Sequence, residues 1–443
     1  MKKTLLVLLL LSSIKQSSAQ FSGQSGVYYL GSGDTPIAAS EYSNPDISGV
    51  VCRFRWETLE PSPNNFNWTF IDGEILKAQN ANKKISLQPV GGRPTWLIDS
   101  LHAQGYYYID KNPIHPTFGQ IVSGVLPWDS IYISRLKILY QNLAAKYAND
   151  TTVSYFNLIA SQMSRNLPDT ILTDTTLLIQ QPFWTAFNYN ADTLAVLMDT
   201  MIDYYMNLFP STPLWCSVDY VRFEIHASGH PINYLASLYT NYGITNYPDR
   251  FGLWREDLSG CNPQPIVMSG SQWYIMNQNP CRTGAQMIMS VQDGPVIMNK
   301  CNMIPNTKSF VLDSAVQHGI TLGMRYMEIY GGDIDDTSLA SNIATANTNL
   351  ILKGNLCNGI TAISELNELS NTIFIYPNPA NTEININLPS NNNFEIEIIN
   401  TLGESILNTQ NKHTIDVSQF SNGIYFIKVK QEDNFYSQRF IKQ

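Results

Sequence analysis

The stretch "VCRFRWETLEPSPNNFNWTFIDGEI", residues 51–75, contains the signals that indicate the fold of the chain. Its first part, up to Trp56, is apolar, β-branched and aromatic, and it predicts a buried β-strand. A loop follows at Pro61. From residue 70 to residue 82 the apolar residues recur at helical spacing. The stretch therefore predicts one unit of strand, loop and amphipathic helix.

Similar units recur along the chain. Near-continuous apolar strands separated by helices favour a parallel sheet that is covered on both faces. Eight strands fit a (β/α)₈ barrel, and a doubly wound open sheet is the alternative. No G-x-G-x-x-G turn follows the first strand, which argues against the open sheet. The predicted strands are residues 26–31, 49–56, 84–90, 153–160, 214–220, 251–257, 285–291 and 322–330; further helices are predicted at 133–150 and 191–209.

The two ends of the chain read differently from its middle. Residues 1–19 combine Lys2 and Lys3 with a short leucine-rich run and small residues, which is the layout of a secretory signal peptide. That run is too short to span a membrane, and no later segment is apolar enough to do so. We therefore predict an exported protein with a barrel domain at residues 20–358.

Residues 372–443 predict only strands and turns. In "TEININLP", Ile384, Ile386 and Leu388 alternate with polar residues, as in a strand with one buried face. Strands that follow a mixed α/β region indicate a separate domain. We expect a small all-β sandwich, joined to the barrel by a linker at residues 359–371.

Composition excludes some classes of partner. The net charge of −9 and the lack of a basic run argue against nucleic-acid binding. Only 14% of the residues are charged, while polar uncharged residues are abundant, which favours neutral polar ligands. His226 and His230 invite a metal interpretation, but Gly229 and Pro231 spoil a helical spacing. We predict a surface loop there, and neither a metal nor a cofactor.

The six cysteines contain no C-x-x-C pair, so zinc-ribbon spacing is excluded. Cys52 and Cys216 lie in apolar strand-like runs and predict buried thiols. The other four cysteines, in an oxidising compartment, allow one or two disulfides whose pairing the sequence leaves open. These are Cys261, Cys281, Cys301 and Cys357.

The opening stretch also resembles a known family. The W-x-x-L-E-P, F-x-W and I-D pattern of residues 56–72, followed by the "RPTWL" of residues 93–97, is similar to the clan A glycoside hydrolases. These are retaining (β/α)₈ enzymes that include bacterial β-galactosidases. The resemblance implies a barrel that hydrolyses glycosidic bonds with two glutamates, one after the fourth strand and one after the seventh.

The sequence departs from that catalytic pattern. After the predicted fourth strand the nearest acid is Asp169, and Gln286 stands on the predicted seventh strand. Glu328 is the best-placed carboxylate, because a glutamate in so apolar a strand is costly unless it faces a polar cavity or is paired. A miscount of one strand would make it the nucleophile. Asp257 and Asp219, both at strand ends, are the candidate partners.

Glu328 also has a structural interpretation, as an ion pair with Arg325 or Arg55. The functional interpretation is favoured by aromatic residues at the carboxyl ends of the predicted strands, where barrel sites form and where sugar rings could stack. Each of them could instead cap the barrel core. The candidate substrate-binding residues are Arg55, Trp56, Trp96, Trp254, Gln286, Tyr326 and Tyr330.

The C-terminal region resembles a second family. "YPNPA" at 376–380, "NTLGE" at 400–404, "SNGIYFIKV" at 421–429 and the final "QRFIKQ" are similar to the sorting domain of the type IX secretion system. The resemblance implies that this sandwich is Ig-like. It also implies export through the periplasm and outer membrane, with the secretion machinery as a partner and a secreted or cell-surface location.

Two hypotheses follow for the barrel. One is an exported glycoside hydrolase that acts on a neutral polysaccharide or oligosaccharide through Glu328. The other is a carbohydrate-binding protein of the same fold whose acid/base pair has decayed, as Gln286 and the absent fourth-strand glutamate would indicate.

Overall fold

The protein forms two compact units, one ending at Asn358 and one beginning at Phe374. The predicted signal peptide and linker lie outside the described residues. The computed structural model describes residues 21–90, 94–109, 119–158, 188–218, 230–263, 267, 269, 271, 273–293, 307–358, 374–376, 380–388, 393–400, 404–431 and 434–443.

The first unit is a closed barrel of eight parallel strands that neighbour one another in chain order. Closure excludes the open doubly wound sheet, so the barrel prediction is confirmed, and every predicted strand overlaps an observed one. The barrel strands are β1 (Gly26–Leu30), β2 (Gly49–Phe54), β3 (Lys84–Pro89), β6 (Val153–Asn157), β7 (Leu214–Ser217), β8 (Phe251–Leu258), β9 (Thr283–Met287) and β10 (Met324–Tyr330).

Between the third and fourth barrel strands the chain forms an antiparallel pair that the sequence pattern did not predict. This pair is β4 (Gly105–Ile109) and β5 (Ile121–Val125). The α-helices in the described residues are α1 (Ala39–Tyr42), α2 (Trp56–Leu59), α3 (Thr69–Asn80), α4 (Trp96–Asp99), α5 (Ser130–Tyr147), α6 (Ala191–Leu208), α7 (Tyr234–Asn246), α8 (Tyr274–Asn277), α9 (Lys308–Thr321), α10 (Gly331–Ile334) and α11 (Ala340–Cys357); Val291–Asp293 and Thr337–Leu339 are 3₁₀ turns.

The three predicted helices correspond to α3, α5 and α6. Asp129 caps α5 by accepting a hydrogen bond from the backbone N–H of Tyr132 at 2.9 Å. Asn190 caps α6 in the same way, from Thr193 at 2.9 Å. Such caps satisfy N–H groups that have no partner within the helix, and they explain where these helices begin.

Aromatic side chains fill the barrel interior. Tyr155 stacks on Trp215 with ring centroids 4.5 Å apart, and Tyr326 lies 5.1 Å from the same indole. Gly252 faces this cluster, where a Cβ atom would lie 2.4 Å from Trp215. The strand therefore needs glycine at this position, because a larger residue would displace the indole.

The loop after β2 is held by a buried ion pair. Glu60 is fully buried and accepts hydrogen bonds from Trp56 Nε1 at 2.7 Å and from the Asn64 backbone N–H at 2.7 Å. Its carboxylate also pairs with Arg135 of α5. This pair fixes the loop to α5, because neither charge has bulk water to replace its partner.

The cysteines behave as their surroundings predict. Cys52 and Cys216 are buried free thiols, as expected. Cys281 and Cys357 form a disulfide across 76 positions of the chain, joining the approach to β9 to the end of α11. A link over so long a loop restricts the unfolded chain and so stabilises the barrel.

The second unit consists of antiparallel strands in two sheets, which confirms the predicted β-sandwich. One sheet has the order β11-β12-β15 and the other β14-β13-β16-β17. Ile384 and Ile386 are buried, as their alternation predicted, and side chains of both sheets share one core. The strands are β11 (Phe374–Tyr376), β12 (Glu383–Asn387), β13 (Glu395–Asn400), β14 (Ser405–Gln410), β15 (Thr414–Asp416), β16 (Gly423–Gln431) and β17 (Asn434–Lys442).

Among the helices of the described residues, none combines the length and apolar character needed to cross a bilayer.

We predict that Arg135→Leu lowers the free energy of unfolding by about 3–5 kcal/mol, because it leaves the Glu60 carboxylate buried without its counterion. Urea denaturation measures this change. The control is Lys146→Leu on the same helix, whose pair with Asp72 is partly exposed on both sides. Its effect should stay below about 1 kcal/mol. Equal losses in the two variants would contradict the role given to the buried pair.

Candidate active site

Glu328 lies inside the barrel, near the carboxyl end of the last strand. It follows Tyr326 by two residues and shares the inward face of β10 with that tyrosine, which belongs to the aromatic interior. The Glu328 side chain is fully buried. The position agrees with the end of a parallel barrel at which active sites form.

The Glu328 carboxyl group is held by three donors. Its Oε1 accepts hydrogen bonds from the Tyr326 hydroxyl at 2.8 Å and from Trp254 Nε1 at 3.1 Å. Gln88 Nε2 approaches Oε2 at 3.5 Å, which is at the outer limit of a hydrogen bond. These contacts fix the orientation of the carboxyl group within the barrel.

Burial raises the pKa of Glu328 to about 7, because an ionised carboxylate loses its hydration inside the barrel. The Tyr326 hydroxyl, the charge of Arg53 and the Trp254 and Gln88 donors act in the opposite direction and moderate the shift. The group can therefore hold or release a proton near neutral pH. This is the property that general acid–base catalysis requires.

Buried amide oxygens lie on three other strands of the barrel, β3, β6 and β9. Gln286 is the register partner of Glu328 on β9, and Gln88 contacts Glu328 from β3. Within the described part of the chain, the Oε1 atoms of Gln88 and Gln286 and the Oδ1 atom of Asn157 accept no hydrogen bond. Buried acceptors are normally satisfied, so these oxygens favour a ligand or water that supplies hydroxyl donors.

Two further aromatic candidates lie near this carboxyl group. Trp254 is buried and donates to Glu328 directly. Tyr330 is partly buried against the aromatic interior, and its hydroxyl donates to the Ile288 carbonyl at 3.3 Å. The structure therefore brings Trp254, Gln286, Tyr326 and Tyr330 to the same end of the barrel as Glu328.

The other two tryptophan candidates lie in a separate buried cluster. Trp56 and Trp96 pack edge to face with ring centroids 6.1 Å apart. Their N–H groups donate to the Glu60 side chain and backbone, respectively. The Arg135 guanidinium covers the Trp96 ring at 5.1 Å. These contacts tie the two indoles to the loop after β2.

Arg55 lines an open pocket at the ends of the first three strands. Ser32, Gly33, Arg53 and Val90 complete its lining, and its volume is about 340 Å³. The Arg55 side chain is 52% exposed and lies 3.9 Å from Asp34. It is therefore available at the pocket surface and does not pair with Glu328.

Of the two proposed carboxylate partners, the structure describes Asp257, which does not contact Glu328. Asp257 forms an ion pair with Arg255 and is one quarter exposed. The pairing of β8 with β9 shifts between Arg255 and Leu258. As a result, Glu256 and Asp257 both stand opposite Gln286, one strand further from Glu328. Asp219, Asp169 and His226 lie outside the described residues.

The strand count resolves two of the alternatives left open by the sequence. Gln286 is on the seventh barrel strand and Glu328 on the eighth, so no strand was miscounted. Arg325 points away from Glu328, with hydrogen bonds to Ser25, the Phe21 carbonyl and Asn358. The structural ion pair with Arg325 or Arg55 is therefore absent from the described contacts.

Sequence reasoning missed Arg53, Gln88 and Asn157. Each follows an inward-facing residue of its strand by two positions, as Arg53 follows Val51 and Gln88 follows Ser86. A polar residue at the inward position of an otherwise apolar barrel strand was the signal that could have identified them. Among the described residues, no group of three or more His, Cys, Asp or Glu side chains could hold a metal ion.

Comparison with known protein families agrees with both resemblances. Residues 43–160 match the family model described as beta-galactosidase, and residues 374–443 match the secretion system C-terminal sorting domain. Both resemblances are confirmed. The first match supports glycoside hydrolase chemistry for the barrel, and the second supports export by the type IX system. No curated protein matches the chain.

Solved structures with similar chains include several carbohydrate-active enzymes. An endo-β-1,4-mannanase from Thermotoga petrophila has 11% identity and a TM-score of 0.39, covering 97% of this chain and 98% of its own. A β-galactosidase from the psychrophilic Marinomonas ef1 has 10% identity and a TM-score of 0.41, with coverages of 81% and 62%.

The raised pKa of Glu328 predicts how pH changes stability. The folded protein holds this proton more tightly than the unfolded chain, whose glutamate titrates near 4.5. The native protein therefore loses stability relative to Glu328→Gln as pH rises from about 4.5 to about 7. We expect the difference in free energy of unfolding between the native protein and Glu328→Gln to change by roughly 3 kcal/mol across that pH range.

Urea unfolding of both proteins at a series of pH values measures this difference. Other carboxyl groups titrate in both proteins and cancel. A difference that stays constant between pH 4.5 and 7 would show that Glu328 is not a buried acid of raised pKa.

Proposed function

We propose that the barrel hydrolyses O-glycosidic bonds in a polysaccharide or oligosaccharide, with Glu328 as the general acid. The observation that carries this proposal is a fully buried carboxyl group with a pKa of about 7. It lies at the end of the barrel where active sites form, and the beta-galactosidase match covers residues 43–160.

The surroundings of Glu328 suit the two stages of such a step. In its neutral form the carboxyl group can protonate the oxygen of the leaving sugar. The carboxylate that results keeps the hydrogen bonds from the Tyr326 hydroxyl and Trp254 N–H. These donors stabilise the ionised form more than the neutral one, so they assist proton release.

The same end of the barrel offers groups for holding a sugar. The buried acceptor oxygens of Gln88, Gln286 and Asn157 match the hydroxyl donors of a pyranose ring. Tyr330 supplies an aromatic surface beside them. Composition favours a largely neutral glycan, and these uncharged amides suit one.

The reaction needs a second carboxylate to attack the anomeric carbon or to activate water. Gln286 cannot do so, because an amide is neither a base nor a nucleophile. Asp257 and Asp219 stay the candidates for this role. Asp257 would have to exchange its Arg255 partner for substrate or water.

Gln286 also favours a second candidate function, that of a carbohydrate-binding protein on the same fold. The seventh strand is where the resembled family carries its nucleophile, and here the residue is a buried amide. Such a protein would retain glycans without cleaving them.

The two functions differ in turnover. We predict that the purified protein releases reducing sugar from a glycan panel and that Glu328→Gln lowers kcat by about 10²–10⁴-fold. The control is Glu74→Gln, another buried glutamate, which contacts Tyr42 and Lys77 outside the barrel interior. Its kcat should stay near that of the native protein. Retention of glycans with no turnover in any sample would favour the binding function.

The C-terminal unit bears on location. The sorting-domain match supports delivery by the type IX secretion machinery to the outside of the cell, as a secreted or cell-surface protein. We predict that deletion of residues 374–443 leaves the barrel in the periplasm of a bacterium that has this system. Fractionation and immunoblotting measure the distribution. Equal surface delivery of the truncated and full chains would contradict the assigned role.

A further inference from the structure

A pair of arginines shapes the mouth of the barrel beside the candidate acid. Arg53 and Arg55 both line the pocket of about 340 Å³ that Ser32, Gly33 and Val90 complete. Arg53 lies on the inward face of β2, two residues after Val51 of the aromatic interior. It pairs in register with Gln88, which in turn contacts Glu328.

Among the described residues, neither guanidinium shares a hydrogen bond with a carboxylate, and the ion pair of Arg55 with Asp34 is long. No hydrogen bond or ion pair of the Arg53 side chain is present there, and its Nε atom is buried without a partner. Arg55 lies 3.9 Å from Asp34. The Asp34 oxygens are already engaged by the Arg55 backbone N–H at 3.0 Å and the Thr58 hydroxyl at 2.9 Å.

Arginines with unused donors at a pocket surface can bind an anionic group. The guanidinium fork matches the geometry of a carboxylate or sulfate and can hold it with two parallel hydrogen bonds. A buried donor without a partner is costly, so a ligand that satisfies Arg53 Nε would be favoured over water alone.

We infer that the sugar bound at this pocket carries an anionic substituent, a carboxylate or a sulfate, which Arg53 and Arg55 hold beside the Glu328 site. This inference rests on the proposed function and narrows its substrate class. The low content of charged residues in the chain predicted a neutral glycan, and the two arginines favour a glycan that carries one charged substituent. The chain carries a net charge of −9, so recognition depends on this local pocket and not on long-range attraction.

Binding tests the inference separately from catalysis when it is measured in a Glu328→Gln background that does not turn over. The probes are a short oligogalacturonate for carboxylates, a sulfated galactan oligosaccharide for sulfates and a neutral galacto-oligosaccharide. We expect one anionic probe to bind at least roughly tenfold more tightly than the neutral one in calorimetry at low salt. Its advantage should shrink as ionic strength rises.

Substitutions in the pocket test whether the two arginines cause the preference for the anionic probe. Arg55→Gln and Arg53→Gln should each weaken binding of the favoured anionic probe about tenfold and leave the neutral probe unchanged. Arg53→Lys keeps the charge but lacks the planar guanidinium. Its affinity for the anionic probe should lie between those of the native pocket and Arg53→Gln, which distinguishes lost recognition from a folding defect. Asp34→Asn is the matched control: it removes a negative charge, keeps an acceptor and should retain or tighten anionic binding.

The outcomes separate this inference from the proposed function. Equal binding of all three probes, or equal losses for neutral and anionic probes in the arginine variants, would overturn the anionic substituent while hydrolysis could still hold. If the protein binds an anionic probe selectively but cleaves no glycan, the anion-binding role of the pocket is supported and the proposed hydrolase activity is contradicted.

Discussion

Placing one carboxyl group inside an aromatic barrel is the constraint on which the rest of the site depends. Glu328 is fully buried, and an ionised carboxylate there is unfavourable unless hydrogen bonds replace its lost hydration. Tyr326 and Trp254 supply those bonds. The balance between burial and donors leaves the pKa of the group near 7. The same contacts therefore explain the group's persistence in the core and its capacity to transfer a proton.

Stability and candidate function are separated along the barrel axis. Towards the amino ends of the strands, Tyr155 and Trp215 fill the interior with stacked rings. Towards the carboxyl ends, amides such as Gln286 and the guanidinium of Arg53 replace them, and within the described residues several of their buried polar atoms have no hydrogen-bond partner. A native protein tolerates such atoms where ligand or water satisfies them. The polar layer is therefore the candidate site, and the aromatic layer beneath it supports it.

Individual residues show why sequence reasoning succeeded or failed. Glu328 was identifiable because a charge within an apolar strand is rare, and its strand was long and clearly patterned. Trp56 was identified by the same family pattern that contains Glu60, yet the structure places its indole against that glutamate in a buried cluster. An aromatic residue at a strand end can face a cleft or a helix, and spacing along one strand does not tell which. Arg53 was overlooked because the sequence alone does not show whether a single arginine in a strand faces the barrel interior or the outside.

The sequence by itself determined the strand and helix periods, the number of barrel units, the alternation that builds the second β-sheet unit and the resemblances at both ends of the chain. These properties are local, because each depends on the order of apolar and polar residues over a short segment. Only the tertiary structure decided that Gln88, Gln286 and Glu328 meet, that Asp257 pairs with Arg255, and that two arginines share one pocket. Gln88, Gln286 and Glu328 stand on strands far apart in the chain, and barrel closure and register bring them together. The other two relations join residues close in sequence and depend on the direction in which each side chain points.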